Sequence, residues 1–315
     1  MCEQYLCFDI GGTAIKYGIL EPPGTFVYTG ETPTRAWEGG QGILRTLKKV
    51  GEELLGKDQP AEKQPGSYSV SGICISTAGM VDCERGVILH SAPLIPEYTG
   101  TELKRELEAH FHLPCEVEND VNCAGLAEVH AGAARGCCAA LCLTVGTGIG
   151  GALLLDGQVF HGASGSACEV GYMHLPGGQF QDLGAASVLV TDVTGKMGLE
   201  PGSIDGRWIL DKAQAGDPVC LAAVEKMADI LAMGIANICY VMNPQVVVLG
   251  GGIMARRDLL LPLVRQGLQK YLIPAVEKNT RVETAQNGNQ AGMLGAWFHF
   301  QSRQGKWQAY NQVQV

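Results

Sequence analysis

Apolar residues in this chain alternate between short unbroken runs and amphipathic stretches. Tyr5-Leu6-Cys7-Phe8 is a compact apolar run broken by Gly11-Gly12, which predicts a buried strand with Ala14 to Leu20 as its hairpin partner. Ile43, Leu44, Leu47, Val50 and Leu54 recur on one face and predict a helix over about 42–55. Lys57 to Ser67, rich in Pro, Gly, Gln and charge, reads as a surface loop. Val70 to Ile75 predicts a strand ending in Thr77-Ala78-Gly79. Thr101 is expected to cap a helix running to His112, after which Cys115-Glu116-Val117 returns as a strand pointing at Asn119-Asp120. A further helix is expected over about 121–134.

The opening pattern then recurs. Leu141 to Val145 is an apolar strand that meets a Gly-Thr-Gly turn, and Gly151 to Leu155 forms the next strand. This repeat of strand, glycine turn and strand, at 6–20 and 141–155, suggests two similar lobes with a cleft between them. Beyond Asp205 the pattern is mainly helical, over about 206–215, 218–242, 257–271 and 291–301. One more buried strand, Val246 to Leu249, ends in Gly250-Gly251-Gly252. Helices alternating with buried strands predict an α/β fold.

Composition narrows the function classes. With 315 residues, 46% hydrophobic and 17% charged, the chain has ample core and the balance of an ordinary globule. Its net charge of -9, with no compensating Lys/Arg cluster, argues against a nucleic-acid partner. Of the twelve cysteines, Cys7, Cys74, Cys142 and Cys239 lie inside apolar runs, and no CxxC occurs. The chain opens on a strand, not on a signal peptide, so a reduced, cytoplasmic setting is expected. The longest apolar helix carries Glu225, Lys226 and Asp229, so no membrane span is expected.

Three glycine turns and the acids Asp9, Asp120 and Glu169 carry the candidate chemistry. Gly11, Gly12 and Thr13 lie between two strands, where backbone N–H groups can approach phosphate oxygens; a plain tight hairpin is the alternative. Asp9 favours the phosphate reading, because a carboxylate ending a buried strand is costly without a cation, and Mg²⁺ is a natural partner. Lys16 either adds charge near the phosphates or is an ordinary solvated residue. Gly146 to Gly151 superficially matches a dinucleotide fingerprint, yet a strand follows where a helix is required, which counts against NAD. As a second phosphate turn it fits, with Thr147 and Gly148 as donors. Gly250, Gly251 and Gly252 would admit a flat purine, or simply turn a strand into a helix. Asp120, where a strand meets a helix, is either a general base for phosphoryl transfer or the N-cap of the following helix. Glu169 and His174 follow a Gly/Ser-rich stretch and would suit sugar hydroxyls, or be solvated and structural respectively.

Together the segments DIGGT at 9–13, ISTAGMVD at 75–82, ENDVNCAGLAE at 118–128 and LTVGTGIGGALLLDG at 143–157 resemble the ROK family of bacterial repressors and sugar kinases. EVGYMHL at 169–175, NPQVVVLGGGI at 243–253 and AGMLGA at 291–296 extend the resemblance over nearly the whole chain. It implies an actin-like (ribonuclease H-like) two-lobe ATPase fold, with mixed sheets flanked by helices and ATP and sugar meeting in the cleft. One lobe would comprise residues 1–119 plus a C-terminal helix over about 291–315, the other residues 120–290. By that analogy Asp120 is the catalytic base and Asn119 and Glu169 are sugar-hydroxyl ligands, with the Gly79 backbone near the sugar. Gly11, Gly12, Thr13 and the Thr147–Gly148 turn would face phosphate, Gly250–Gly252 the adenosine, and Asp9 would hold Mg²⁺ through water. Relatives usually form dimers, so a homodimer is expected.

Departures from the family pattern bear on the substrate. Tyr172 stands where a zinc-ligating histidine is expected, and residues 176–182 hold no cysteine, so no zinc site is expected there. The family's second glutamate, near the anomeric hydroxyl, falls at Gln181. An aromatic ring and a neutral amide suit a pocket that accepts a substituent at C1, which suggests a β-glucoside kinase acting on cellobiose-like sugars. Glucose and N-acetylmannosamine are the alternatives. A DNA-binding repressor is disfavoured because only eight residues precede Asp9; a non-catalytic sugar sensor is disfavoured by Asp120 and both phosphate turns.

Overall fold

The structure, a computed structural model, describes residues 3–56, 68–91 and 95–305. The loop expected over 57–67 and the part of the C-terminal helix expected beyond 305 lie outside the described residues. In chain order the first elements are β1 (Gln4–Ile10), β2 (Ala14–Glu21), β3 (Thr25–Pro33), α1 (Gly39–Leu55), β4 (Val70–Thr77), β5 (Met80–Asp82), β6 (Val87–His90), α2 (Leu103–Phe111), β7 (Cys115–Asn119) and α3 (Asp120–Ala131). There follow β8 (Ala139–Val145), β9 (Ile149–Leu155), β10 (Gln158–Val159), β11 (His174–Leu175), β12 (Gly178–Gln179), α4 (Phe180–Gly184), α5 (Ala186–Met197), α6 (Gly206–Gln214) and α7 (Pro218–Met242). The chain ends through β13 (Val246–Gly250), α8 (Arg257–Tyr271), α9 (Pro274–Glu277), β14 (Arg281–Thr284) and α10 (Ala291–Arg303). Among the described residues no helix is long and apolar enough to cross a membrane.

Packing divides the chain into two compact units, residues 1–127 with 162–166 and 289–315, and residues 128–161 with 167–288. The division falls inside α3, after Ala127.

The first unit is built on a five-stranded sheet of order β3-β2-β1-β4-β7. The first three strands pair antiparallel, and β1, β4 and β7 run parallel. The two-residue period of β1 sorts its side chains. Leu6, Phe8 and Ile10 join a core with Ile43, Leu44 and Leu47 of α1 and Leu103 and Leu107 of α2. Tyr5 turns to the other face, where its ring packs 5.4 Å from Phe300 and 6.3 Å from Trp297 of α10. Asp9, at the same parity as Tyr5, continues that α10-facing row. So do Ser76 on β4 and Glu116 and Glu118 on β7, because Ile73, Ile75, Cys115 and Val117 take the apolar side. Thr101 does not cap α2: Glu102 occupies the cap position without a side-chain bond, and Thr101 is buried where a Cβ on Gly40 would strike its hydroxyl.

The second unit repeats the plan with order β10-β9-β8-β13-β14. β8 and β9 form the antiparallel hairpin, and β8, β13 and β14 run parallel. Leu141, Leu143, Val145, Val247 and Leu249 meet the long α7 in one core. That helix has the boundaries read from sequence because its punctuation is complete. Asp217 accepts hydrogen bonds from the Val219 and Cys220 amides at 3.0 and 2.9 Å, Pro218 begins the first turn, and Asn243 closes the last turn in the left-handed conformation.

One buried carboxylate ties the return from β14 to the end of α3. Glu128, 1% exposed, accepts the Gln286 and Asn287 amides and Asn287 Nδ2, each at 2.9 Å, and the Ala133 amide at 2.8 Å. Four donors would lose their acceptor in Glu128→Ala, and an unmet buried donor costs about 1–3 kcal/mol. We therefore expect Glu128→Ala to lower unfolding free energy by about 3 kcal/mol or more in urea titration; a loss below about 1 kcal/mol would show the loops held by other means.

Candidate functional site

In each unit the glycine turns, and in the first also Asp120, lie at the carboxyl ends of the parallel strands, the edge of an open α/β sheet where ligands usually bind. In the first unit the register aligns Ile10 with Thr77 and Thr77 with Asn119. The Gly11–Thr13 turn, Gly79 and Asp120 thus leave the sheet along one edge.

The Gly11–Thr13 turn is a hairpin closed by the Gly11 amide donating to the Ala14 carbonyl at 3.1 Å. Thr34, fully buried, anchors it: its hydroxyl donates to the Gly11 carbonyl at 2.6 Å and its amide to the Thr13 carbonyl at 3.0 Å. Thr34 carries no recognisable motif, and only the β2–β3 pairing, absent from the sequence reading, brings it here.

Asp9 stands one residue before this edge, its side chain 18% exposed. Ser76 donates to Oδ1 at 2.7 Å, and Lys16, its cross-strand partner, places Nζ 4.0 Å from Oδ2. The first turn of α10 lies against the carboxylate so closely that a Cβ on Gly292 would collide with it. Burial raises the Asp9 pKa above its ordinary value, with the Ser76 hydrogen bond and Lys16 opposing that rise. Lys16 stands only at the limit of ion-pair distance and the carboxylate keeps some exposure, so the residues present fit the Mg²⁺ expected there.

Asn119 closes β7 and begins α3. Its Oδ1 accepts the Val121 and Asn122 amides at 2.9 and 3.1 Å, so Asn119 performs the capping that Asp120 alone was expected to offer. Its Nδ2 donates to the Gly79 carbonyl at 2.9 Å and to Asp120 Oδ1 at 3.0 Å. Both amide groups are then fully used within the chain, and a sugar hydroxyl would have to displace one of these bonds. Asp120, partly exposed, also accepts the Val121 amide at 3.0 Å through Oδ1. Tyr98, buried and bonded to Thr77 at 2.6 Å, has its phenol pKa raised by burial, with the Asp120 carboxylate adding to the rise. Gly79 turns at φ +99°, outside the range an L-residue takes readily, which presents its carbonyl to Asn119.

In the second unit Gly146 to Gly148 form the β8–β9 turn, closed by the Gly146 amide on the Gly148 carbonyl at 2.9 Å. The start of α5 grips it: the Ala186 amide donates to the Gly146 carbonyl at 2.9 Å and the Ser187 hydroxyl to the Thr147 carbonyl at 2.6 Å. Gly251, at φ +95°, crosses the end of β8 so closely that any Cβ would strike Val145, which brings Gly250–Gly252 beside the Thr147 turn. Gln181 on α4 lies next to the same turn; a Cβ on Gly148 would sit 3.1 Å from its Oε1 and one on Gly171 2.9 Å away. Glu169, partly exposed, precedes a single 3-10 turn, and Tyr172, 46% exposed, ends that turn.

The ROK family model matches residues 5–303. The chain belongs to the ROK family. An uncharacterized protein of Clostridium perfringens strain 13 is 49% identical over 296 residues, spanning 94% of this ROK chain and 97% of its own. The β-glucoside kinase of Klebsiella pneumoniae is 33% identical over 301 residues, 93% and 94% of the two chains. Among solved structures, a ROK family glucokinase from Streptomyces griseus in complex with glucose and AMPPNP matches with TM-score 0.78 at 27% identity, over 93% of this chain and 97% of that one. The expected α/β class, with mixed sheets flanked by helices in the manner of actin-like ATPases, is the fold found.

The raised Asp9 pKa carries a stability cost of known sign. As pH rises through the ordinary carboxylate range the unfolded chain gives up this proton first, so native stability falls until the raised pKa is passed. Asp9→Asn is therefore expected to raise the thermal midpoint of the ligand-free protein by about 2–4 °C near pH 7. That gain should shrink as pH falls through the ordinary carboxylate range and close below about 3, where both states carry the proton. A variant less stable than wild type at neutral pH would show that the Ser76 and Lys16 contacts outweigh the burial.

Proposed function

We propose that this ROK protein is an ATP-dependent sugar kinase that transfers the γ-phosphoryl group to the 6-hydroxyl of a glucosyl unit, with a β-glucoside such as cellobiose as substrate. The observation that carries the reading is the placement of Asp120 at the carboxyl end of β7, with its helix capped by the neighbouring Asn119 and its carboxylate oriented by Asn119 Nδ2. A carboxylate so placed suits a base that accepts the alcohol proton while the alcohol oxygen bonds to phosphorus and the bond to the ADP oxygen breaks. No covalent enzyme intermediate is required.

The phosphate side of the reaction is assigned to Gly11, Gly12, Thr13, Lys16, Thr147 and Gly148, and the nucleoside side to Gly250, Gly251 and Gly252. Asp9 would hold Mg²⁺ through water, and the ion would offset the charge of the phosphates. The AMPPNP-bound glucokinase supports ATP as donor. On the sugar side Glu169 and the Gly79 backbone are assigned to hydroxyls, and Asn119 joins them only by exchanging one of its internal bonds. Preference for a substituted C1 rests on Tyr172, whose exposed ring offers a stacking surface, on Gln181, and on the identity with a β-glucoside kinase. Glucose and N-acetylmannosamine are the competing acceptors. The reading further takes the protein as a cytoplasmic homodimer with no nucleic-acid or membrane partner.

A coupled ADP-release assay with cellobiose, glucose and N-acetylmannosamine tests the acceptor. The highest kcat/KM is expected with cellobiose, and a preference for either monosaccharide would overturn the β-glucoside assignment. Asp120→Asn is expected to cut kcat by about 10²–10⁴-fold while leaving sugar binding measurable by calorimetry. Near-normal turnover in that variant would remove Asp120 from the role of base.

A further inference from the structure

We propose that the first unit contains a metal-binding site formed by Cys83, Glu118 and His299, suited to a zinc-class divalent cation. It goes beyond the kinase reading and does not depend on it. Among the described residues these three form the group of His, Cys, Asp and Glu side chains whose ligand atoms all lie within 4.8 Å of one another. They come from three separate elements: Cys83 from the turn after β5, Glu118 from β7 and His299 from α10. The pleat of β7 turns Glu118 away from the α2 core towards α10, and the helix returns His299 to meet it.

The donor set has the chemistry of a tetrahedral site. One thiol, one carboxylate and one imidazole are the ligand types zinc takes, three from protein with a fourth position left to water. His299 Nδ1 lies 3.4 Å from Glu118 Oε2, close to the roughly 3.3 Å between N and O ligands on a tetrahedral zinc. Glu118 is 0% and His299 5% exposed, while Cys83 is only partly buried and marks the side from which an ion would enter. The Asn119 amide at 2.7 Å and Asn122 Nδ2 at 3.0 Å both donate to Oε1, which leaves Oε2 turned towards His299.

Charge points the same way. A thiolate and a carboxylate would neutralise a dication buried between the sheet and α10. The nearby guanidinium of Arg303 is bound elsewhere, with both terminal nitrogens on Glu84 at 2.6 and 2.8 Å. Without an ion, the Cys83 thiol pKa is raised, first by burial and then by the Glu118 carboxylate. Ligation would release the thiol proton to solvent and leave His299 bound through Nδ1 with its remaining proton on Nε2. Because Glu118 also holds the Asn119 amide, an ion here would brace the strand end that carries Asn119 and Asp120.

The test uses the full-length protein, stripped with a chelator, dialysed, and titrated with Zn²⁺ against a chromophoric competitor, with Co²⁺ as a spectroscopic substitute. One ion per chain and a thiolate-to-cobalt charge-transfer band are expected. Cys83→Ser and His299→Gln should each weaken binding by about 100-fold or more, since each removes one of three protein ligands. The Cys137→Ser/Cys138→Ser double variant, which removes one partly buried and one exposed thiol of the second unit, should keep the ion. Thermal melts of the metal-free proteins check folding, and Cys83→Ser decides if His299→Gln does not fold. Absence of a tight ion in the wild type, binding unchanged in Cys83→Ser, or loss in the double variant instead would each overturn the site. Phosphotransfer activity enters none of these readouts.

Discussion

Parallel pairing is the constraint on which both units rest. Three strands that run the same way end at the same edge, and the hydrogen-bond register decides which residues meet there. In the first unit Ile10, Thr77 and Asn119 are in register, so three turns emerge side by side. In the second, Thr144 pairs with Gly250, which sets the Thr147 turn beside the triglycine turn. A one-residue slip would reverse every side chain on a strand, sending Asp9 and Glu118 into the apolar cores and Leu6 or Val117 under α10. The buried faces therefore fix the register, and the register builds the candidate site.

The same period of two explains why charge is buried beneath α10. The side of the first sheet facing α1 and α2 is largely apolar, and the opposite side carries Asp9, Ser76, Glu116 and Glu118. Each of these acids is met by a specific group: Ser76 and Lys16 for Asp9, Lys104 for Glu116 at 2.9 Å, and two amides with His299 for Glu118. Such a layer is costly to assemble and is stable only when every member is satisfied. At Asp9 burial raises the carboxyl pKa, and the Ser76 hydrogen bond and Lys16 oppose that rise.

Asp120 and Asn119 divide a task that a single residue is often thought to perform. The Asn119 amide is both N-cap and clamp, and Asp120 is held by it at 3.0 Å. Belonging to the ROK family makes a kinase reading natural, and the geometry adds that the orientation of the acid depends on a neighbour with no hydrogen-bonding capacity to spare.

Read alone, the chain determined its α/β class, both glycine hairpins and the helix with complete punctuation, α7, opened by Asp217-Pro218 and closed by Asn243. These were legible because caps, glycine turns and helical spacing are local. β3 was not, since as a largely exposed edge strand it has no apolar run, and β14 was not, since only Val282 in it is buried. α5 was hidden by its β-branched residues, Val188, Val190, Thr191, Val193 and Thr194, which mimic a strand in composition. Tertiary structure alone decided that Thr34 anchors the first turn, that Ser187 grips the second, and that Cys83, Glu118 and His299 converge. Those contacts join residues 23, 40 and more than 200 positions apart. Local pattern holds no information about such distances; only the burial of sheet faces and the register of their strands sets them.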